Sequence, residues 1–481
     1  MRLPLLLAFA AVLSAQDAGM LLLQSVIYGT QKSTLPLNEE QRKEADRLLV
    51  EARRIAANGD FANALRSLHQ GMAVMRGAAW SPLVEAASAL EVKPDHAIGT
   101  PEGVLRIHLK PLYSNDRLAG QKLLATVTLT PAANGSSGEI TLTEKHPIAA
   151  SGATIEAKLP AQPGNYFLET RLTGPDGESD PKAPQTFRKQ SPVLIAALSA
   201  ERDRLQARLA KIQSKSPSLA TVEYALELYS LADRGDTNPH RYRFPEQFAA
   251  AHEMLDAIEA GKDPFAAKRG DISKAYRSDV DQTLQPYRLY VPTAYDAKKP
   301  TPLVIALHGM GGNESSFFNG YDGTLLKEAE RKGFLLAAPK GRATTSMYRG
   351  AAEKDVLDVL AEVRRDYNVD ARRIYLMGHS MGGYGTWSVA MNHPEIFAAL
   401  GPIAGGGNPS GMDKIKHIPQ FIVHGDKDPT VNVSQSRMMV DAGRKAGATM
   451  EYIEVKGGNH GNIVVPNLGP MLDFFSKQSK P

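Results

Sequence analysis

At 481 residues the chain is longer than a single compact core normally sustains, so two to four domains are expected. Its 42% hydrophobic and 22% charged residues exclude a disordered or membrane-spanning class, and a net charge of +4 without basic runs interleaved with aromatics gives no sign of a nucleic-acid partner. There is no cysteine, which excludes disulfides and an amino-terminal lipid carried on cysteine.

Residues 1–15 run from Met1 and Arg2 through Leu5, Leu6, Leu7 and Phe9 to the small residue Ala15. A positive end followed by a short apolar stretch is a signal-peptide pattern, too short to span a membrane, with cleavage expected after Ala15 or Ala18. This predicts a secreted or periplasmic protein. Residues 16–95 read as a helical hairpin. Asn38 and Gln41 have the spacing of a capping box, Leu48, Leu49, Ile55 and Ala56 recur at helical spacing, and Gly59-Asp60 breaks the pattern before Phe61 starts a second helix. The Gly-Asp-Phe-x-x-Ala-Leu turn resembles half a tetratricopeptide unit. A single copy cannot bury its own face, so the hairpin is expected to pack on a neighbour.

Residues 96–190 change to short alternating runs beginning at Val104, Lys122, Glu139, Ala153 and Asn165, separated by turn formers such as Asn134-Gly135 and Pro163-Gly164. They predict a small β-sandwich, immunoglobulin-like, without the Cys and Trp marks of true immunoglobulin domains. Residues 191–270 read as a helical connecting region. Residues 271–481 then alternate strands and helices: an antiparallel opening pair at 272–280 and 284–291, strands at 303–307, 334–338, 374–377, 397–403, 420–423 and 451–455, and helices near 355–365, 435–445 and 466–477. Such alternation predicts a mainly parallel α/β sheet with helices on both faces and a site at the carboxyl ends of its strands.

Four segments follow strand ends in that last region. Gly378-His379-Ser380-Met381-Gly382 closes an apolar run and opens a helical one, which places Ser380 at the apex of a sharp strand-to-helix turn. A serine hydroxyl is a poor nucleophile at neutral pH, so it needs a histidine base and a carboxylate to orient that base. Asp426 and Asp428 both lie on the loop after Phe421-Ile-Val-His424; the spacing favours Asp428, beyond the strand end. Past Asp428 the chain holds one histidine, His460, on the Gly-rich turn Gly457-Gly458-Asn459-His460-Gly461. Leu307-His308-Gly309-Met310-Gly311-Gly312 ends another buried-strand run, and its glycines let the main chain approach a carbonyl oxygen. The oxyanion donors are then expected to be the backbone amides of Met310 and Met381, with His308 structural.

Tyr287-Arg-Leu-Tyr-Val-Pro292, Leu307-His-Gly-Met-Gly-Gly312, Arg373 to Gly385 and His424-Gly-Asp-Lys-Asp428 resemble α/β-hydrolase serine esterases of the feruloyl-esterase and polyhydroxyalkanoate-depolymerase type. They are also similar to the catalytic domains of prolyl-oligopeptidase-like proteins. The resemblance covers the last 210 or so residues and implies Ser380 as nucleophile, Asp428 as acid, His460 as base and the Met310 and Met381 amides as oxyanion donors, with no metal or organic cofactor. It implies hydrolysis of carboxylic esters through an acyl-enzyme. The amino-terminal half lacks the blade repeats of a prolyl-oligopeptidase propeller, which weighs against a peptidase, the first alternative. The second alternative is a polysaccharide-binding or scaffolding protein with an inactive hydrolase domain. Only a short loop lies between Gly405 and Pro419, so the cleft is expected to be open, suited to an ester on a polymer or a bulky soluble ester. The sequence sets no oligomeric state.

Overall fold

The strand and helix alternation of the carboxy-terminal half becomes one eight-stranded sheet in the computed structural model, which describes residues 20–21, 24–113, 118, 120–132, 138–149, 151–266 and 268–481. The expected leader over residues 1–15 lies outside the described residues. The chain divides into two units, Leu205–Leu226 with Gln247–Pro481, and Met1–Arg204 with Glu227–Glu246.

The first of these carries the sheet. Its strands are β1 (Gly270–Arg277), β2 (Leu284–Val291), β3 (Thr301–Leu307), β4 (Leu335–Pro339), β5 (Val369–His379), β6 (Ala399–Ile403), β7 (Gln420–Gly425) and β8 (Met450–Val455). They lie in the order β1-β2-β4-β3-β5-β6-β7-β8, with β2 antiparallel to both neighbours and every other pair parallel. Every residue of β3, β4, β6 and β7 is buried, which is why these strands are continuous apolar runs rather than alternating ones.

The side-chain period of two sorts those runs onto two faces. Leu303, Ile305, Leu307, Ile374, Leu376 and Ile422 pack with Val356, Val359 and Val363 of the helix Ala351–Asp366 and with Trp387 of Met381–Asn392. Val304, Ala306, Tyr375, Met377, Phe421 and Val423 pack on the other side with Leu325 and Ala329 of Thr324–Lys332 and with Leu468, Met471, Leu472 and Phe475 of Val464–Ser476. The edge strand β1 does not present all its backbone groups to water: the Ala275 N–H donates to Thr221 Oγ1 at 3.0 Å.

The other unit opens with helices. Asn38 forms the expected capping box, its side chain accepting the Gln41 N–H at 2.8 Å while its own N–H donates back to Gln41 Oε1 at 3.1 Å, and the helix runs Glu39–Ala57. Asp60 caps the second helix, Phe61–Met75. The neighbour the hairpin needs is the helical segment 24–34, whose buried Tyr28 donates to the Ala45 carbonyl at 2.7 Å. Gly71 makes room for that ring: a Cβ there would stand 2.1 Å from Tyr28 Oη.

Two sheets follow, one of three strands (Leu90–Pro94, Val104–Pro111, Ala153–Lys158) and one of five (Ile98–Gly99, Arg188–Ile195, Gly164–Thr173, Lys122–Pro131, Ile140–Ala149). Leu105, Ile107 and Ile155 of the first share one core with Val127, Leu129, Leu168 and Val193 of the second. Arg188–Ile195, which sequence reasoning gave partly to the helical region, is a strand. It tolerates Pro192 because its far side pairs only at Leu194 and Ile195, with Ile98 and Gly99. Among the described residues no helix is long and apolar enough to cross a membrane.

Candidate active site

Ser380 stands between β5 and the helix Met381–Asn392 with φ 57° and ψ −117°, a conformation that costs energy for any residue bearing a Cβ. Backbone bonds hold it there: its N–H donates to the Ile403 carbonyl at 2.8 Å and its carbonyl accepts the Tyr384 N–H at 3.1 Å. The tight turn is open only to glycine at its flanks. A Cβ on Gly378 would lie 2.3 Å from the Gly382 oxygen, and one on Gly382 would lie 1.9 Å from the Leu307 oxygen. Gly382 therefore also fixes how closely the end of β3 meets the elbow.

That end of β3 carries the glycine-rich turn Gly309–Gly312. Gly309 abuts the elbow so closely that a Cβ on it would be 3.4 Å from Ser380 Cβ. Gly311 has φ 81° and donates its N–H to the Thr344 carbonyl at 2.9 Å, and Gly312 closes a turn onto the Gly309 carbonyl at 3.0 Å. The N–H groups of Met310 and Met381 have no protein acceptor among the described residues. His308 is buried with Nδ1 2.8 Å from the Gly309 carbonyl and Nε2 2.8 Å from that of Lys340, which is a structural role.

On the loop after β7, Asp428 rather than Asp426 meets the histidine: Asp428 Oδ2 lies 2.7 Å from His460 Nδ1. Its other oxygen accepts the N–H groups of Thr430 at 2.8 Å and Val431 at 2.9 Å. Burial pushes the Asp428 carboxyl up, but the bonds from His460, Val431 and Thr430 outweigh it, and its pKa lies below the usual carboxylate value. Asp426 is used elsewhere, accepting the Gly457 N–H at 2.6 Å. His424 is fully buried between Ser436 Oγ at 2.6 Å and the Val431 carbonyl at 2.9 Å.

With Nδ1 on Asp428, His460 presents Nε2 as the available nitrogen. No hydrogen bond joins it to Ser380 Oγ among the described residues. What sets His460 beside the elbow is its backbone: its carbonyl lies 2.8 Å from Nε2 of His379, and the two imidazole centroids are 4.7 Å apart. Tyr321 Oη is 3.0 Å from the other nitrogen of His379.

Sequence reasoning missed this pair, and it missed Tyr348, whose buried ring occupies the space left by Gly341 and Gly385. His379 is the variable position of Gly-x-Ser-x-Gly, and Tyr321 and Tyr348 carry no local motif. Trp387 is core, donating Nε1–H to Gln420 Oε1 at 2.8 Å. Between β6 and β7 the chain forms only the short 3-10 helix Pro409–Ile415, with Met412 and Ile415 buried.

The strand order, the single antiparallel β2 and the strained serine after β5 give the carboxy-terminal unit the α/β-hydrolase fold. Its sequence likeness is to ester hydrolases. The PET hydrolase-like family model matches residues 343–472, and the BD-FAE model matches residues 288–395. Feruloyl esterase B of Neurospora crassa is 37% identical over 122 residues, covering 23% of this chain and 40% of that protein. A probable feruloyl esterase C of Aspergillus flavus is 29% identical over 152 residues, covering 30% of this chain and 55% of that protein. A bifunctional acetylxylan esterase/xylanase of Neocallimastix patriciarum is 31% identical over 139 residues, covering 28% of this chain and 20% of that protein. The chain thus spans from a fifth to just over half the length of these relatives. Among solved structures, a ferulic acid esterase from Anaeromyces mucronatus has a TM-score of 0.37 at 19% identity, covering 45% of this chain and 95% of that one. A thermostable esterase has a TM-score of 0.39 at 18% identity, covering 80% of this chain and 98% of that one.

Proposed function

We propose that the protein hydrolyses carboxylic esters through Ser380, His460 and Asp428. The observation that carries this reading is the combination of a strained serine at the elbow with an Asp428–His460 bond of 2.7 Å on the neighbouring loops. His460 Nε2 takes the hydroxyl proton as Ser380 Oγ attacks the ester carbonyl. The negative charge gathers on the carbonyl oxygen, where the Met310 and Met381 N–H groups receive it; each such donor is worth roughly 3 kcal/mol to the transition state. His460 then gives its proton to the departing alcohol, leaving an acyl-serine. Water repeats the cycle and releases the acid. Asp428, kept ionised, holds the Nδ1–H tautomer and balances the imidazolium that forms.

The feruloyl and acetylxylan esterases among the relatives support an ester whose alcohol side belongs to a polymer or another bulky group, and the lack of an inserted lid between β6 and β7 supports an open cleft. The same reading takes residues 1–15 as an export leader, 96–190 as an immunoglobulin-like module and 271–481 as the catalytic domain. Ser380→Ala is expected to abolish hydrolysis of a short-chain nitrophenyl ester; turnover at the wild-type rate would refute the proposal.

A further inference from the structure

His379 precedes the proposed nucleophile in the chain, yet the residue is only 8% exposed and both ring nitrogens are engaged. A carbonyl oxygen only accepts, so the nitrogen that meets His460 O at 2.8 Å, Nε2, carries the proton. Nδ1 is then a bare lone pair and accepts the O–H of Tyr321 at 3.0 Å. The two partners select one tautomer. Burial and the adjacent His460 lower the His379 pKa to about 4, so the ring keeps that neutral form at pH 7.

Among the described residues, the other hydrogen bonds that tie the loop bearing His460 to a neighbouring segment run to the β7 side. Gly457 N–H donates to Asp426 Oδ1 at 2.6 Å, Lys427 N–H to the Gly458 carbonyl at 2.9 Å, and His460 Nδ1–H to Asp428 Oδ2 at 2.7 Å. Among the described residues, His379 Nε2–H to His460 O is the single hydrogen bond between that loop and the elbow. Because Ser380 Oγ and His460 Nε2 are not bonded to each other, the reach of the base toward the hydroxyl depends on where this carbonyl is held.

We propose that His379, oriented by Tyr321, is a positioning residue that locks the loop of the general base to the nucleophile elbow. It touches no reacting atom; it acts through the His460 backbone. The proposal rests on the reading of Ser380 and His460 as nucleophile and base.

The amide nitrogen of glutamine reaches the place of imidazole Nε2, whereas that of asparagine reaches only the place of Nδ1. His379→Gln therefore keeps the bond to His460 O, and His379→Asn and His379→Leu lose it. Misplacement of a base by about an ångström costs up to ~100-fold, so the Asn and Leu variants are expected to lower kcat by roughly ten- to a hundredfold with KM within about twofold, and the Gln variant to stay within about threefold of wild type. Tyr321→Phe, which removes no atom from the His460 side, is expected to lower kcat severalfold and serves if the Leu variant does not fold. Wild-type kcat in the Asn and Leu variants would overturn the proposal. So would an equal loss in the Gln, Asn and Leu variants, because the rescue by glutamine is what separates positioning from packing. Ser380→Ala run alongside separates the two readings: activity in that variant defeats the triad itself, while an inactive Ser380→Ala with a fully active His379→Asn defeats only the role given to His379.

Discussion

Asp428 shows how one side chain is committed to a single charge state. Two backbone N–H groups and His460 donate to it, and together they hold its pKa down against burial. Asp428→Asn keeps the shape but presents an amide where His460 needs an acceptor, so the imidazole is expected to take the wrong tautomer. On aryl ester hydrolysis kcat is expected to fall on the order of 10⁴-fold, and a loss below tenfold would contradict the assignment of the acid. His379 behaves oppositely in charge. Its folded pKa of about 4 lies under the ordinary 6.5, with His460, Asp428, His424 and Tyr321 as the titratable groups around it. Between those values the unfolded chain binds a proton that the folded chain refuses. The stability His379 contributes is thus whole above pH 6.5 and lost as pH falls through about 4. Urea unfolding is expected to show the wild type losing roughly 3 kcal/mol more than His379→Gln between pH 7 and 4; equal losses would show that the ring titrates freely.

At the scale of elements, the segment 341–350 braces the turn Gly309–Gly312. Thr344 accepts the Gly311 N–H at 2.9 Å, and Tyr348, at φ 50°, wedges its ring against Gly385. The anchor of the segment is Arg342, itself at φ 66°, which meets Asp281 at 2.6 Å, Thr283 Oγ1 at 2.9 Å and the buried Asp355 at 3.0 Å. Burial raises the Asp355 pKa, and Tyr276 Oη donates to its other oxygen at 2.9 Å. Arg342→Leu leaves that carboxylate buried without its cation and is expected to cost about 3–5 kcal/mol, whereas Arg342→Leu with Asp355→Leu is expected to recover most of it. Purely additive losses in a double-mutant cycle would contradict this coupling. None of it was legible in the sequence. Ser380, Asp428 and His460 could be singled out because each sits in a short pattern whose glycines and chain order are local. These partners of Arg342, by contrast, come from a hairpin and a helix separated from it by up to 61 positions. The strands told the same story: continuous apolar runs marked β3, β4 and β7, but Leu90–Pro94 followed directly on a helix and Arg188–Ile195 carried Pro192, so neither matched an alternating pattern.

Over the whole molecule, the two units are held together internally by different means. In the eight-stranded unit two apolar layers flank a sheet whose inner strands are buried on both faces, and the candidate site lies at the carboxyl ends of β3, β5 and β7. In the other unit the five-stranded sheet carries a charged cluster on one face: Glu169, nearly buried, receives Arg188 at 2.5 Å, Gln190 at 2.7 Å and Arg171. Burial pushes the Glu169 carboxyl up, but these three donors outweigh it and hold its pKa at about 2. The family-model matches lie within the first of these units, over residues 288–472. The activity proposed for the protein therefore stands on the chemistry of one serine. Its most direct measurement is to treat the full chain with a fluorophosphonate and locate the adduct by peptide mass. A single adduct on Ser380 is expected, lost in His460→Gln; a protein that hydrolyses an aryl ester yet takes no label at Ser380 would contradict the account.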